Sequence, residues 1–354
     1  MPRIDSFLTR VKDLKASDLH LSTGSKPRFR IHGELETPSG AVELSSGTIK
    51  DLLYEVMDSR HKREWEAARD VDFAYGMSDG TRFRGNVFQD ENGVGAVFRI
   101  IPDKIIPLAD LNLPAAVERV VDLRTGLVLV TGPTGSGKST TLAAILDAIN
   151  KRYRRHIITI EDPIEFVHRN QRSFVSQREL GSHCTSFSDA LRSAMRQDPD
   201  VILIGELRDQ ETMSLALTAA EMGALVFATM HTNSAAKTMN RIVDAFPHDL
   251  RDQTLAMLAG CLQAVVSQIL LRRAEGSGRV VAQEILVRGP GLENMIREGN
   301  IPKITNFIEQ GRGLGMQSLD WALLDLVRKG TVTGGEAMSK SNNKSAFEEA
   351  LQGR

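Results

Sequence analysis

The run Gly132-Pro133-Thr134-Gly135-Ser136-Gly137-Lys138-Ser139-Thr140 spaces its glycines, lysine and hydroxyl as G-x-x-x-x-G-K-[ST]. That spacing suits the phosphates of a nucleoside triphosphate. Glycines let the backbone curl until successive N–H groups face phosphate oxygens, and a helix that starts at the end of the loop adds its positive dipole end. Lys138 then supplies a cation to the β- and γ-phosphates, and Ser139 a hydroxyl to Mg²⁺. The plain alternative is a glycine-rich strand-to-helix turn with no ligand. The flanks argue against it: the aliphatic run Leu127-Val128-Leu129-Val130 precedes the loop, and a helix-like stretch from Thr140 to Leu146 follows. Gly132, Thr134, Gly135, Ser136, Gly137, Lys138, Ser139 and Thr140 are therefore the expected nucleotide-binding residues. No Asn-Lys-x-Asp run, which reads guanine, is present, since Asn343-Lys344 continues as Ser345-Ala346. ATP is the expected nucleotide.

Hydrolysis needs a group that orients and deprotonates water. Val201 to Ile204 reads as a buried strand that ends in Gly205-Glu206, and at the carboxyl edge of a parallel sheet such an acid faces the phosphate loop's crevice. Glu206 is the expected base. The strand-end Asp that often holds Mg²⁺ through water is Gly205 here, and Asp209 reads as a cap or bridge. Ile157 to Ile160 is a second strand, ending in Glu161-Asp162-Pro163. Its carboxylates would place negative charge near Mg²⁺, against the plain reading of a solvated acidic turn. A third strand, Leu225 to Ala228, leads to His231, whose neutral imidazole could sense the γ-phosphate or hold the catalytic carboxylate. His20 and His32 read as structural.

These side chains must be carried by short aliphatic strands alternating with helices, the βαβ pattern of a parallel sheet buried on both faces. That texture begins at Gly126, and residues 126–354 read as one domain that ends in a helical region. Leu319, Leu323, Leu326 and Val327 mark a late amphipathic helix that Gly330 stops, and the polar stretch 339–344 reads as loose. Residues 1–101 read instead as a small α+β domain. Ile49, Leu52, Leu53, Val56 and Met57 fall on one helix face, and Phe29/Ile31 and Val71/Phe73/Tyr75 alternate as strands. Two more strands flank Asn92-Gly93, a hairpin signal. A two-residue turn there would set Phe88 opposite Val97 and Arg84 opposite Ile101. Arg84 and Arg99 would be diagonal neighbours on one face, beside Arg82. Residues 102–125, with Pro102, Pro107 and Pro114, read as a linker holding a short helix.

The whole-chain numbers fit this division. The 354 residues exceed a usual single core. Composition is ordinary, at 41% hydrophobic and 25% charged, and the net charge of −1 argues against a nucleic-acid coat. Cys184 and Cys261 form no C-x-x-C pair, so neither a zinc ribbon nor a disulfide framework is indicated. The start leads into no long apolar run, and no apolar stretch approaches a membrane span. A cytoplasmic protein is expected.

In this order the blocks resemble the secretion and pilus ATPase superfamily. Its phosphate loop, aspartate box, Gly-Glu strand and histidine box are here Gly132 to Thr140, Thr159 to Glu165, Ile204 to Asp209 and Leu225 to His231. Ala16-Ser-Asp-Leu-His-Leu21, Thr232-Asn-Ser-Ala-Ala-Lys237-Thr, Asp244-Ala-Phe-Pro247 and Gly313-Leu-Gly-Met-Gln-Ser-Leu-Asp320 extend the likeness over nearly the whole chain. Pilus-extension and type II secretion members carry a longer N-terminal region and a four-cysteine motif, so the chain most resembles the type IV pilus retraction branch. The resemblance implies a PAS-like domain joined to a RecA-like P-loop domain, a homohexamer, and ATP hydrolysis that shifts the two domains. It also implies an inner-membrane platform protein as partner, peripheral location at the cytoplasmic face, and no direct nucleic-acid target. Arg84 and Arg99 match arginines that reach bound nucleotide across the ring, against the plain reading of a solvated basic face.

Two departures stand out. The histidine box opens Gly223-Ala224 rather than Gly-His. The family's Ala-Ile-Arg-Asn-Leu-Ile-Arg-Glu motif, tied to retraction rather than hydrolysis, is here Gly291-Leu-Glu293-Asn-Met-Ile-Arg297-Glu298, which reverses one charge. An auxiliary retraction ATPase, an extension or secretion motor, a nucleotide-dependent pilus regulator with little turnover, and a DNA-translocating relative are the alternatives.

Overall fold

The computed structural model describes residues 2–31, 33–101, 104–276 and 278–351. His32, Pro102 and Asp103 lie outside them. The chain divides into two compact units, Met1–Lys104 with Pro163–Phe166, and Ile105–Asp162 with Val167–Arg354.

The first unit is an antiparallel sheet with helices. Its strands are β1 (Asp18–Ser22), β2 (Arg28–Ile31), β3 (Glu34–Glu36), β4 (Asp70–Gly76), β5 (Arg82–Asp90) and β6 (Gly93–Ile101), in the spatial order β3-β2-β1-β6-β5-β4. Phe83, Val87, Ala96 and Phe98 alternate inward with Arg82, Arg84 and Arg99 outward. The helix Ser46–Tyr54 buries Ile49, Leu52 and Leu53 on this core, and Ser45 caps its start by accepting from the Thr48 N–H.

The β5–β6 register differs from the sequence expectation by two residues. Asp90 pairs with Gly93, so the turn residues are Glu91 and Asn92; Phe88 faces Gly95 and Arg84 faces Arg99 directly. The Asp90 carboxylate decides this: it accepts from the N–H groups of Asn92 (2.8 Å) and Gly93 (3.1 Å), closing an Asx turn one residue earlier.

The second unit is a seven-stranded sheet. Its strands are β7 (Gly126–Thr131), β8 (His156–Glu161), β9 (Phe174–Glu179), β10 (Val201–Ile204), β11 (Leu225–Met230), β12 (Leu262–Arg272) and β13 (Arg279–Val287). The order is β13-β12-β7-β11-β10-β8-β9, parallel except for β13, which pairs antiparallel with β12. Every residue of β7, β10 and β11 is buried, as a sheet covered on both faces requires. From Ile105 onward the stretch read as a linker packs with this unit: Leu108, Val117, Val120 and Val121 join the core around Val128 and Val130. Its prolines start short helical turns, at Pro107 and Pro114, rather than an open tether.

The polar stretch 339–344 is not loose either. The Asp320 carboxylate accepts from the N–H groups of Asn342 and Asn343, and the helix Lys344–Leu351 that follows buries Phe347. Cys261 is buried, Cys184 half-buried, and both are free thiols. Among the described residues no helix is long and apolar enough to cross a membrane.

Candidate active site

The phosphate loop joins β7 to the helix Lys138–Arg152. Gly137 caps that helix at φ +88°, a conformation that a side chain strains. A Cβ on Gly132 would lie 2.2 Å from the Gln268 carbonyl oxygen of β12. Lys138 Nζ donates to the carbonyl oxygens of Gly132 (2.8 Å) and Pro133 (3.2 Å), so the ammonium folds back over the loop. The loop and His231 open onto a cleft of about 780 Å³, which Arg272, Arg279 and Lys340 also line.

Parallel pairing brings the acidic strand ends to the same edge of the sheet as the loop. Along that edge stand the phosphate loop after β7, His231 after β11, Glu206 after β10, and Glu161 at the end of β8. Adjacent strands lie about 4.8 Å apart, so Glu206 is roughly 10 Å across the sheet from the loop's strand. That distance leaves room for a γ-phosphate and an attacking water.

The Glu206 carboxylate is held from two sides. Its Oε1 lies 3.3 Å from His231 Nε2, and its Oε2 accepts from Arg208 Nε at 2.9 Å. Its side chain keeps 20% of its surface exposed, enough for water to reach it. The Gly205 backbone beneath it is pressed against β8: a Cβ there would lie 3.2 Å from the Ile160 carbonyl oxygen. A side chain at 205 would therefore need the end of β8 to give by a few tenths of an ångström. Asp209 caps the helix Gln210–Glu221, accepting from the Thr212 N–H at 2.8 Å, a contact worth about 1 kcal/mol.

Glu161 is oriented by neighbours. Its Oε1 accepts from Thr159 Oγ1 at 2.6 Å and Gln177 Nε2 at 3.2 Å. Asp162 follows it on the exposed surface. Among the described residues no cluster of three or more His, Cys, Asp and Glu side chains is placed to hold a metal unaided. The donors present, the Ser139 hydroxyl and the Glu161 and Asp162 carboxylates, are hard oxygens. Mg²⁺ takes one or two such protein ligands and fills its shell with water and substrate phosphates, so the donor set fits that ion.

Arg84 and Arg99 lie on the outer face of the first unit's sheet. Arg99 Nε donates to Asp18 Oδ1 at 2.7 Å, directly across the β1–β6 ladder, while Arg84 Nε lies 3.7 Å from Asp72 Oδ1. Burial pushes the Asp18 carboxyl up, but hydrogen bonds from Ser17 and Arg99 outweigh it and hold the group below its ordinary value.

Sequence reasoning passed over Thr159, Gln177, Arg208 and Gln268. Gln268 left one signal, an amide within the apolar run of 264–271. Thr159 left another, standing two residues before Glu161 on the same face of one strand, whereas Gln177 depends on strand pairing and Arg208 on loop path.

A phosphate loop on an interior strand of a mostly parallel sheet, with a histidine and acids at the carboxyl ends of the next three strands, defines a RecA-like P-loop ATPase. The family model described as Type II/IV secretion system protein matches residues 1–312, and the chain belongs to that family. It is 47% identical over 326 residues to the type IV pilus retraction ATPase PilT of Pseudomonas aeruginosa, covering 92% of this chain and 94% of the relative. It is 44% identical over 321 residues to the twitching motility protein of Neisseria gonorrhoeae, covering 91% and 86%. Among solved structures, the pilus retraction motor PilT with bound ADP superposes with a TM-score of 0.90 at 41% identity, covering 97% of this chain and 98% of that one.

Proposed function

We propose that this chain is the ATP-hydrolysing motor of type IV pilus retraction, the machine behind twitching motility. The observation that carries the enzymatic part is Glu206, set between His231 and Arg208 on the same sheet edge as the phosphate loop. The names of the relatives, which match the chain almost end to end, support retraction as the mechanical output.

Gly132, Thr134, Gly135, Ser136 and Gly137 present backbone N–H groups to the triphosphate, and Thr140 lies in the first turn of the helix behind them. Lys138 moves from the loop carbonyls to the β- and γ-phosphates. Ser139, Glu161 and Asp162 would hold Mg²⁺, which would neutralise phosphate charge when bound with ATP. Glu206 orients the attacking water and takes its proton, and His231 fixes the carboxylate. Arg84 and Arg99 supply cations to the nucleotide, the role in which a planar guanidinium is most effective. The chain works as a homohexamer at the cytoplasmic face of the inner membrane, gripping a platform protein there.

A second reading, an auxiliary retraction ATPase, draws on one observation. Glu293 is paired with both Arg288 and Arg297, so the retraction motif's one basic residue, Arg297, is neutralised within the chain.

The deciding experiment counts surface pili on cells of the source organism carrying chromosomal Glu206→Ala. Accumulated pili with loss of twitching is the expected result. Loss of pili would assign the motor to extension, and an unchanged count would assign the main load to another ATPase.

A further inference from the structure

We propose that Gln268, outside the phosphate-binding motif, is the positioning residue that keeps the Gly137 N–H aimed at bound phosphate. The proposal rests on reading Gly132–Thr140 as the nucleotide loop. β12 runs beside β7 with Ser267 opposite Thr131, so Gln268 is the residue that passes directly beneath Gly132. It is 1% exposed, and both ends of its amide are hydrogen-bonded. Nε2 donates to the Ser136 carbonyl oxygen at 2.7 Å. Oε1 accepts from Thr141 Oγ1 at 3.1 Å and from Gln283 Nε2 at 3.3 Å.

The carbonyl of Ser136 can only accept, so the amide end that meets it must be the NH₂. That leaves Oε1 for Thr141 and Gln283, and the rotamer is locked from three directions. Gln283 faces Gln268 across the β12–β13 ladder and is itself 1% exposed, and its backbone carbonyl accepts from Gln317 Nε2 at 2.8 Å. The amide thus stands against a buried polar neighbour rather than in a pliable apolar slot.

The consequence follows from peptide geometry. In a planar trans peptide the C=O and N–H point in opposite directions. Holding the Ser136 carbonyl down onto Gln268 therefore turns the Gly137 N–H away from the sheet. Gly137 is a left-handed glycine, so its own backbone does not prevent this peptide from flipping. A flipped peptide would present a carbonyl oxygen to a phosphate, repelling it. Gln268 removes that alternative. It also ties the helix's first turn, through Thr141, to the same amide, so loop and helix share one anchor.

The test is the affinity of the full chain for a fluorescent ADP analogue between pH 6 and 8.5. Wild type is expected to change little over that range. Gln268→Met, similar in shape but unable to donate, is expected to bind about tenfold or more weakly at every pH. Gln268→Glu separates positioning from packing. As a carboxylate it repels the Ser136 carbonyl at high pH; protonated at low pH, as burial favours, its O–H donates there as the amide did. Affinity in this variant should recover to within a few fold of wild type at pH 6. Wild-type affinity in Gln268→Met overturns the proposal, as does a Gln268→Glu profile no steeper than that of wild type. If Gln268→Met does not fold, the pH profile of Gln268→Glu decides alone. Failure of the wild-type chain itself to bind would instead overturn the reading of the loop.

Discussion

Glu206 Oε1 and His231 Nε2 stand 3.3 Å apart across the ends of two adjacent parallel strands, β10 and β11. In sequence they are separated by the whole helix Gln210–Glu221. Their contact exists because β10 and β11 pair in register, Val201 with Leu225 through Ile204 with Ala228, so both chains leave the sheet at the same level.

A double-mutant cycle checks whether His231 acts through that carboxylate. Glu206→Gln should lower kcat by about 10²–10⁴-fold, and His231→Ala by about 10–100-fold. Adding His231→Ala to Glu206→Gln should cost little more, because residues acting as a unit are not additive. Steady-state ATPase assays at saturating ATP measure all four corners. Additive losses would mean that the imidazole works on something other than Glu206.

The two arginines should separate by stability. Arg84 is exposed and its nearest carboxylate, on Asp72, is exposed too, so Arg84→Ala should change unfolding free energy by less than about 1 kcal/mol. Arg99 partners Asp18, whose side chain is only 3% exposed. Arg99→Ala leaves that buried carboxylate underbonded and should destabilise by about 1–3 kcal/mol, and Asp18→Asn with Arg99→Ala should recover part of the loss. Urea midpoints read this directly. If both arginines act on nucleotide, each single variant should also lose ATPase activity while still binding ADP.

His168 makes stability depend on pH. It is buried beside the helix Lys138–Arg152, and burial lowers its pKa from 6.5 to about 4, with nearby Asp147 opposing. The folded chain keeps this ring neutral while the unfolded chain takes up a proton below pH 6.5. Stability from this group is therefore complete above about 6.5 and is lost as pH falls toward 4, by up to about 3 kcal/mol. His168→Gln should flatten that part of a stability–pH profile measured by denaturant unfolding. An unchanged slope would place its source elsewhere.

Charge reversal in the retraction motif should spare chemistry. Glu293 pairs with Arg288 (2.9 Å) and with Arg297 on the short helix Leu292–Arg297. Such exposed pairs are worth about 0–1 kcal/mol. Glu293→Arg should leave kcat and melting temperature nearly unchanged while removing the carboxylate that Arg288 and Arg297 share. Twitching-zone diameter in cells carrying this variant tests whether the internal pairing tunes coupling to the pilus machine. A drop in ATPase activity would contradict the separation of the two roles.

The candidate site was legible in the sequence because each piece is local. Gly132 to Thr140 is a continuous motif, and Glu206, Glu161 and His231 each announce themselves at the end of an aliphatic run. The βαβ texture was equally legible, since a strand buried on both faces must be aliphatic throughout. What sequence could not decide was pairing. The β5–β6 register turned on one carboxylate, Asp90, closing the turn a residue early, which moved Arg84 from a diagonal to a direct neighbour of Arg99. The side-by-side placement of β10 and β11, and of β12 beside β7, came only from folding. Those pairings set His231 on Glu206 and Gln268 beneath the phosphate loop. Hydrophobic pattern dictates that a strand is buried but not which strand lies beside it. Contacts between residues more than a hundred positions apart, such as Gln268 with Ser136, are therefore properties of the tertiary structure alone.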